Sequence, residues 1–172
     1  MCIRDRTEFN PITTLKINGE DVEAKALFAF DIKAKKFSEE TKGKNGETIV
    51  TPGFNIIYNG ILERDTNAIA NFWECATAYL SKNAPSREDI ENALAEVILE
   101  KEDTLELLQG ALNVLNNSGF FKQKSKMFWI QMNKAPQMAK AEDKETTKAG
   151  IEFMKENYKE IMGAEPYSIT QK

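Results

Sequence analysis

The residues able to do chemistry are few, and their spacing organises none of the common sites. The 172-residue chain has no histidine, which removes Ser-His-Asp and Cys-His nucleophiles and the commonest zinc ligand. Its two cysteines, Cys2 and Cys75, form no CxxC pair, and zinc would need a cluster of Cys and His. The stretch "GKNGETI" holds two glycines and a lysine, but Gly43-Lys44 is followed by Asn45 where a phosphate-binding loop needs Ser or Thr. Eight carboxylates stand between residues 86 and 106: Glu88, Asp89, Glu91, Glu96, Glu100, Glu102, Asp103 and Glu106. They could supply acid–base pairs or hard-metal ligands, yet no DxDxDG loop arranges them, so a solvated helix face is the favoured reading. Cys75 stands two residues after Trp73 and beside Ala76 on an apolar stretch and reads as a small buried hydrophobe. No catalytic residue, metal ligand or cofactor is expected.

The elements around these residues follow from their periods. "TTLKINGEDVEAKA" alternates: Leu15 and Ile17 against Thr14 and Lys16, then Val22, Ala24 and Ala26 against Asp21, Glu23 and Lys25. Between the arms sits Asn18-Gly19, which tolerates the positive φ angles of a type I′ turn. A β-hairpin with one greasy face is expected, and two strands alone are marginal in water, so helices must cover it. "LFAFDIKAKKFSEE" places Phe30, Ala34 and Phe37 at helical spacing. "KGKNGETIVTPG" breaks the pattern with three glycines and a proline and reads as a loop. "FNIIYNGILERD" and "TNAIANFWECATAYLSKN" read as helices. Pro85 then precedes a Ser86 N-cap, with Asp89 three residues on and Ile90, Leu94, Val97 and Ile98 as the buried stripe. Asp103 caps a further helix, lined by Leu105, Leu108, Leu112 and Leu115 and closed by Gly119. Burying each leucine contributes about 1.5–3 kcal/mol.

Residues 120–134, "FFKQKSKMFWIQMNK", behave differently. Phe120, Met127 and Ile130 occupy one side of a helical wheel, and Phe121, Phe128, Trp129 and Met132 extend it past a normal stripe. Such an arc must be covered from more than one side. Either neighbouring helices of the chain cover it, or part of it meets another protein, where aromatics and methionine concentrate binding energy. Phe121, Phe128 and Trp129 are the candidate partner-binding residues. Pro136 is expected to end this element. A last helix, roughly 138–162, follows with Thr147, Ile151, Met154, Tyr158 and Ile161 on one face and Gly163 and Pro166 as its stop. The expected organisation is a leader at 1–12, a hairpin-plus-helices domain at 13–134, and a C-terminal helix with a loose tail at 135–172. The fold class is α+β, mostly α: an N-terminal β-hairpin packed on a bundle of about five to six helices.

Composition excludes several classes. With 41% hydrophobic and 29% charged residues the chain is an ordinary globular protein. No apolar run approaches the roughly 18 residues of a membrane span. A net charge of −4 argues against a general nucleic-acid binder. The cysteine usage fits a reducing cytoplasm. Charge is uneven along the chain. Residues 33–44 carry five lysines against two glutamates, residues 122–134 carry four lysines and no acid, and the eight acids of 86–106 face only Arg87 and Lys101. Solvated helix faces explain this pattern, and a sharper reading is that it selects and orients a partner or a second copy.

The order of these segments resembles a known family. "LKINGEDVEAKALFAFDIKAKK" runs from hairpin straight into helix. "AIANFWECATAYL" is a helix rich in small and aromatic residues. "PSREDIENALAEVILEKEDTLELLQGALNVLNNSGFFKQKSKMF" joins an acidic helix, a leucine-rich helix and a basic segment. Over roughly residues 13–130 this is similar to the tail assembly chaperones of long-tailed, siphovirus-type bacteriophages that infect Gram-positive hosts. The resemblance implies a non-enzymatic role in the host cell cytoplasm. Such chaperones coat the long tape measure protein while tail tube subunits polymerise around it, and they are absent from the finished virion. The implied partner is the tape measure protein, with the major tail tube protein and further copies of the chain, as a ring or filament, as additional candidates; nucleic acid and membrane are not expected. Two other classes remain open on the residues alone: a small helical adaptor or regulator of phage or bacterial origin, and an enzyme with a carboxylate or Ser/Lys site that carries no signature.

The first six residues, "MCIRDR", join no pattern. They can be spelled ATG TGT ATA AGA GAC AGR, which apart from its last base looks like the end sequence used in transposase-based library preparation. The expectation is translated adaptor at a contig edge, so that Cys2 is not a natural residue and the source is metagenomic.

Overall fold

The structure is a computed structural model, and it describes residues 8–166. The adaptor reading of 1–6, Cys2 with it, and the tail beyond Pro166 fall outside the described residues.

The first hairpin forms as its alternation predicts. Strand β1 (Thr14–Ile17) pairs antiparallel with β2 (Glu20–Glu23), Leu15 opposite Val22 and Ile17 opposite Glu20. Asn18 and Gly19 both take positive φ, 52° and 82°, as a type I′ turn requires. Leu15, Ile17, Ala24 and Ala26 are buried. Residues 8–12, placed by sequence in a leader, lie against a later helix: the Ile12 amide donates to the Glu106 carbonyl at 2.9 Å.

Helix α1 (Phe28–Ala34) tightens into a 3₁₀ turn at Lys35–Phe37 and ends there, short of the expected Glu40. Residues 39–51 are the main correction. Instead of a loop, β3 (Glu39–Lys42) pairs antiparallel with β4 (Thr48–Thr51). Asn45-Gly46 sits at the tip, Gly46 at φ 80°, and the Gly43 amide donates to the Glu47 carbonyl at 2.8 Å. Apart from half-buried Gly43 and Thr51 this hairpin is exposed throughout.

Six further α-helices complete the described residues: α2 (Gly53–Leu62), α3 (Thr66–Ala76), α4 (Arg87–Lys101), α5 (Leu105–Asn117), α6 (Lys122–Met138) and α7 (Lys144–Met162). The hairpin-on-helices architecture is therefore as expected, with seven α-helices among the described residues. The start signal of α4 holds: Ser86 and Asp89 form a full capping box. That of α5 is shifted by one residue: Thr104, not Asp103, is the N-cap, while Asp103 accepts from the Thr104 and Leu105 amides at 2.7 and 3.2 Å just ahead of it. Two stop signals fail. Helix α5 closes at Ser118, whose hydroxyl donates to the Ala26 carbonyl at 2.8 Å, before Gly119 is reached. Helix α6 runs through Pro136 to Met138. Proline so close to the end deletes a single i→i−4 bond, and the Ala139 amide still closes the last turn on Ala135.

The core is a run of aromatic rings linking the elements. Phe72 of α3 meets Phe30 of α1 with centroids 5.8 Å apart, Phe30 meets Phe121 at 5.2 Å, and Phe121 stacks on Phe54 of α2 at 5.2 Å. Phe54 leads to Tyr58, Tyr58 to Phe128 and Trp129 of α6, and Trp129 to Tyr158 of α7 at 5.6 Å. Helix α7 packs on α2, α5 and α6 through Ile151, Tyr158 and Ile161. The Gln109 side chain, fully buried on α5, bonds the Asn10 amide and the carbonyls of Glu8 and Ile161, so it fastens both ends of the described chain to one helix. Beside it a side chain at Gly110 would run into the Ile12 carbonyl, which explains glycine there.

Candidate partner-binding surface

Phe121, Phe128 and Trp129 lie inside the chain, at 2%, 7% and 1% exposure. Their arc is covered from both sides by the protein's own helices: Phe30 and Phe54 enclose Phe121, while Tyr58 and Tyr158 flank Trp129. In this fold they hold α6 down and present no free surface. Lys124 lies over the rings of Phe54 and Phe121 at 5.6 and 5.5 Å and pairs with Asp31 at 2.9 Å, which adds a cationic cap to that end of the core.

A polar chain runs beneath the aromatic one. The Trp129 indole N–H donates to Tyr58 Oη at 3.0 Å, the Tyr58 hydroxyl donates to Asn116 Oδ1 at 3.0 Å, and Asn116 Nδ2 donates to Tyr158 Oη at 2.9 Å. Burial pushes both phenols above their ordinary range. They therefore stay protonated and serve as hydrogen-bonding groups, not as bases. The cleft they line, ≈ 320 Å³ with Lys122, Ser125 and Lys126 at its edge, is the mouth of this network.

The remaining buried chemistry is structural. Burial drives the Cys75 thiol up to about 12, so no thiolate nucleophile forms there. Glu74 pairs with Lys36 at 2.8 Å and Arg87 at 3.6 Å. Arg87 in turn donates to Asn71, Asn67 and Glu91, so its guanidinium stitches α3 to α4. Among the described residues no three His, Cys, Asp or Glu side chains gather as a metal site, and no helix is long and apolar enough to cross a membrane.

The outward apolar residues lie elsewhere. Phe28 and Phe120 meet edge-on at 4.6 Å on the surface, with Ile32 one turn along α1. Met127 and Met138 stand on the outer face of α6, with exposed Gln131 and Lys134 between them. Ile49 and Val50 project from the second hairpin, and Leu99 from α4. Met127 and Phe120 belong to the arc read from sequence, on its less crowded side. The second hairpin had its own signal in Asn45-Gly46 followed by the β-branched run "TIVT", the same grammar that gave the first hairpin.

The sequence model of the family described as "Phage tail assembly chaperone protein, TAC" matches residues 14–129. The chain belongs to this phage tail assembly chaperone family. No curated protein matches it, and neither does any solved structure. The family match runs from the first residue of β1 to Trp129. It takes in both hairpins and the aromatic core as far as Trp129, while the second half of α6 and all of α7 lie beyond it. The chaperone's Tyr158, which closes the polar chain, thus comes from outside the matched region.

Proposed function

We propose that this chaperone acts without catalysis in the host cytoplasm of a siphovirus-type phage of a Gram-positive bacterium. There it binds the tape measure protein, keeps it soluble while tail tube subunits polymerise, and leaves before the virion is complete. The family match over residues 14–129 carries this reading. The surface supports it. A holder of long amphipathic helices needs exposed apolar side chains that adapt to many partners, and unbranched methionine does this best. The outer face of α6 offers Met127 and Met138 with Lys134 between them, and half-buried Ile130 beside them. In this reading segment 120–138 meets the partner through its methionines, and Phe121, Phe128 and Trp129 act from beneath by fixing the helix.

Co-expression tests the role. The tape measure protein of the same phage genome, produced alone, goes to the insoluble fraction and becomes soluble when this chain is produced with it. A tape measure protein that stays insoluble in its presence contradicts the reading. So does one that is equally soluble alone.

A further inference from the structure

The polar chain beneath the aromatic core runs in one direction and ends on a donor with nothing in the protein to donate to. An indole N–H can only donate, so the Trp129 contact at 3.0 Å makes Tyr58 Oη the acceptor. The Tyr58 proton then goes to Asn116 Oδ1 at 3.0 Å, and this turns Asn116 Nδ2 toward Tyr158 Oη at 2.9 Å as a donor. Tyr158 Oη therefore accepts, and its own proton meets no acceptor among the described residues. Tyr158 is only 8% exposed, and a buried donor without an acceptor is costly. The cleft that Tyr158 lines, ≈ 320 Å³ where α2, α5, α6 and α7 meet, has one sign of charge: Lys122 and Lys126 border it, and no carboxylate does. The Ser125 hydroxyl beside them is spent on the Leu115 carbonyl at 3.3 Å. Lys122 is exposed and makes no ion pair among the described residues.

We propose that this cleft binds a carboxylate on a short apolar stem, one oxygen accepting the Tyr158 proton and the other the Lys122 ammonium. An ionised carboxylate only accepts, and it has two oxygens to share between two donors. Both bonds are charge-assisted, which makes them stronger than bonds between neutral groups. The rings of Tyr58 and Trp129 form the wall against which the stem lies. The volume is at the lower end of small-molecule sites, so a chain of a few carbons fits and a nucleotide does not. Two sources carry this group: an acidic side chain of another protein and a free small carboxylic acid. Tyr158 belongs to α7, outside the region matched by the family, so the site is complete only when α7 is docked. This inference goes beyond the chaperone role and stands or falls separately from tape measure binding.

Proton NMR of the full chain, titrated with propionate at constant ionic strength, tests it. The chain has two tryptophans, and their indole N–H signals serve as reporter and control. Trp129 is wired to Tyr158 through the polar chain, and hydrogen bonds in series polarise one another. The indole N–H of Trp73, in contrast, has no partner among the described residues. Propionate should move the Trp129 signal saturably in the millimolar range and leave Trp73 in place, while neutral propionamide should move neither. Tyr158→Phe should weaken propionate binding at least about tenfold, the loss expected for one hydrogen bond to a charged group. Lys122→Gln, at an exposed position that leaves the fold intact, should weaken it about twofold to fivefold. A parallel titration with a terminally blocked Ala-Glu-Ala peptide separates the sources. Binding of the peptide assigns the cleft to an acidic protein side chain, and binding of propionate alone assigns it to a free acid. No saturable shift with either probe overturns the proposal. So does a shift equal with propionamide, or one undiminished in both Tyr158→Phe and Lys122→Gln.

Discussion

The side chains that looked most like a binding site, Phe121, Phe128 and Trp129, belong to the core, and this sets what point substitutions do. Phe128→Ala should cost about 3–5 kcal/mol in chemical denaturation, because it opens a cavity between α2 and α6. Met127→Ala, one residue earlier but outside, should stay within about 0.5 kcal/mol. Their ordering separates a residue that builds the fold from one that offers it to a partner. Tyr58→Phe should cost about 1–3 kcal/mol, since it strands the Trp129 indole N–H and the Asn116 carbonyl in a buried site. Tyr158→Phe leaves only Asn116 Nδ2 short of an acceptor and should cost less. Equal losses from the two tyrosines would contradict the directional chain drawn here. A sequence shows that an arc is apolar. It does not show which neighbour covers it, because the rings around Phe121 and Trp129 come from residues 30, 54, 58 and 158.

At the scale of elements, local signals were legible wherever the chemistry is local. Asn18-Gly19 made its turn, Ser86 with Asp89 made its capping box, and the Ile151–Tyr158–Ile161 stripe of α7 lies buried. The departures fall where two local signals compete. Glycine and proline in "KGKNGETIVTPG" outweigh, in a reading by sequence, the β-branched run beside Asn45-Gly46, and Pro136 reads as a stop although it falls within the last turn of α6. The two hairpins should respond differently to damage. Replacing residues 39–51 by a short Gly-Ser linker should leave the melting temperature nearly unchanged, because this hairpin contributes no buried side chain. Leu15→Ala in the first hairpin should cost about 2–5 kcal/mol. Asp89 joins the first hairpin to α4. The Asn18 side chain, then Ser86, hold its carboxyl below the ordinary 3.8. A lowered folded-state pKa stabilises fully above that ordinary value and fades as pH falls through the lowered one. The stability gap between wild type and Asp89→Asn should therefore be present at neutral pH and vanish in strong acid, as denaturation at the two pH values would show. A gap that grows toward acid would reverse the sign and contradict the contact.

For the molecule as a whole, the order of segments proved more informative than any single motif. A hairpin feeding a helix, then a small-residue helix, an acidic helix, a leucine helix and a basic aromatic segment describe a family whose match spans residues 14–129. The chemistry-bearing residues supply only exclusions. On the function proposed above, the work rests on which apolar side chains the fold leaves outside, and that is set by packing between residues far apart in the chain. The most direct test is capture of the tape measure protein by tagged chaperone, comparing wild type with the double variant Met127→Asp and Met138→Asp, both at exposed positions of α6. Wild type should retain the tape measure protein, and the double variant should lose most of it while melting within a few degrees of wild type. Undiminished capture by a well-folded double variant would contradict the assignment of the outer face of α6 as the partner-binding surface.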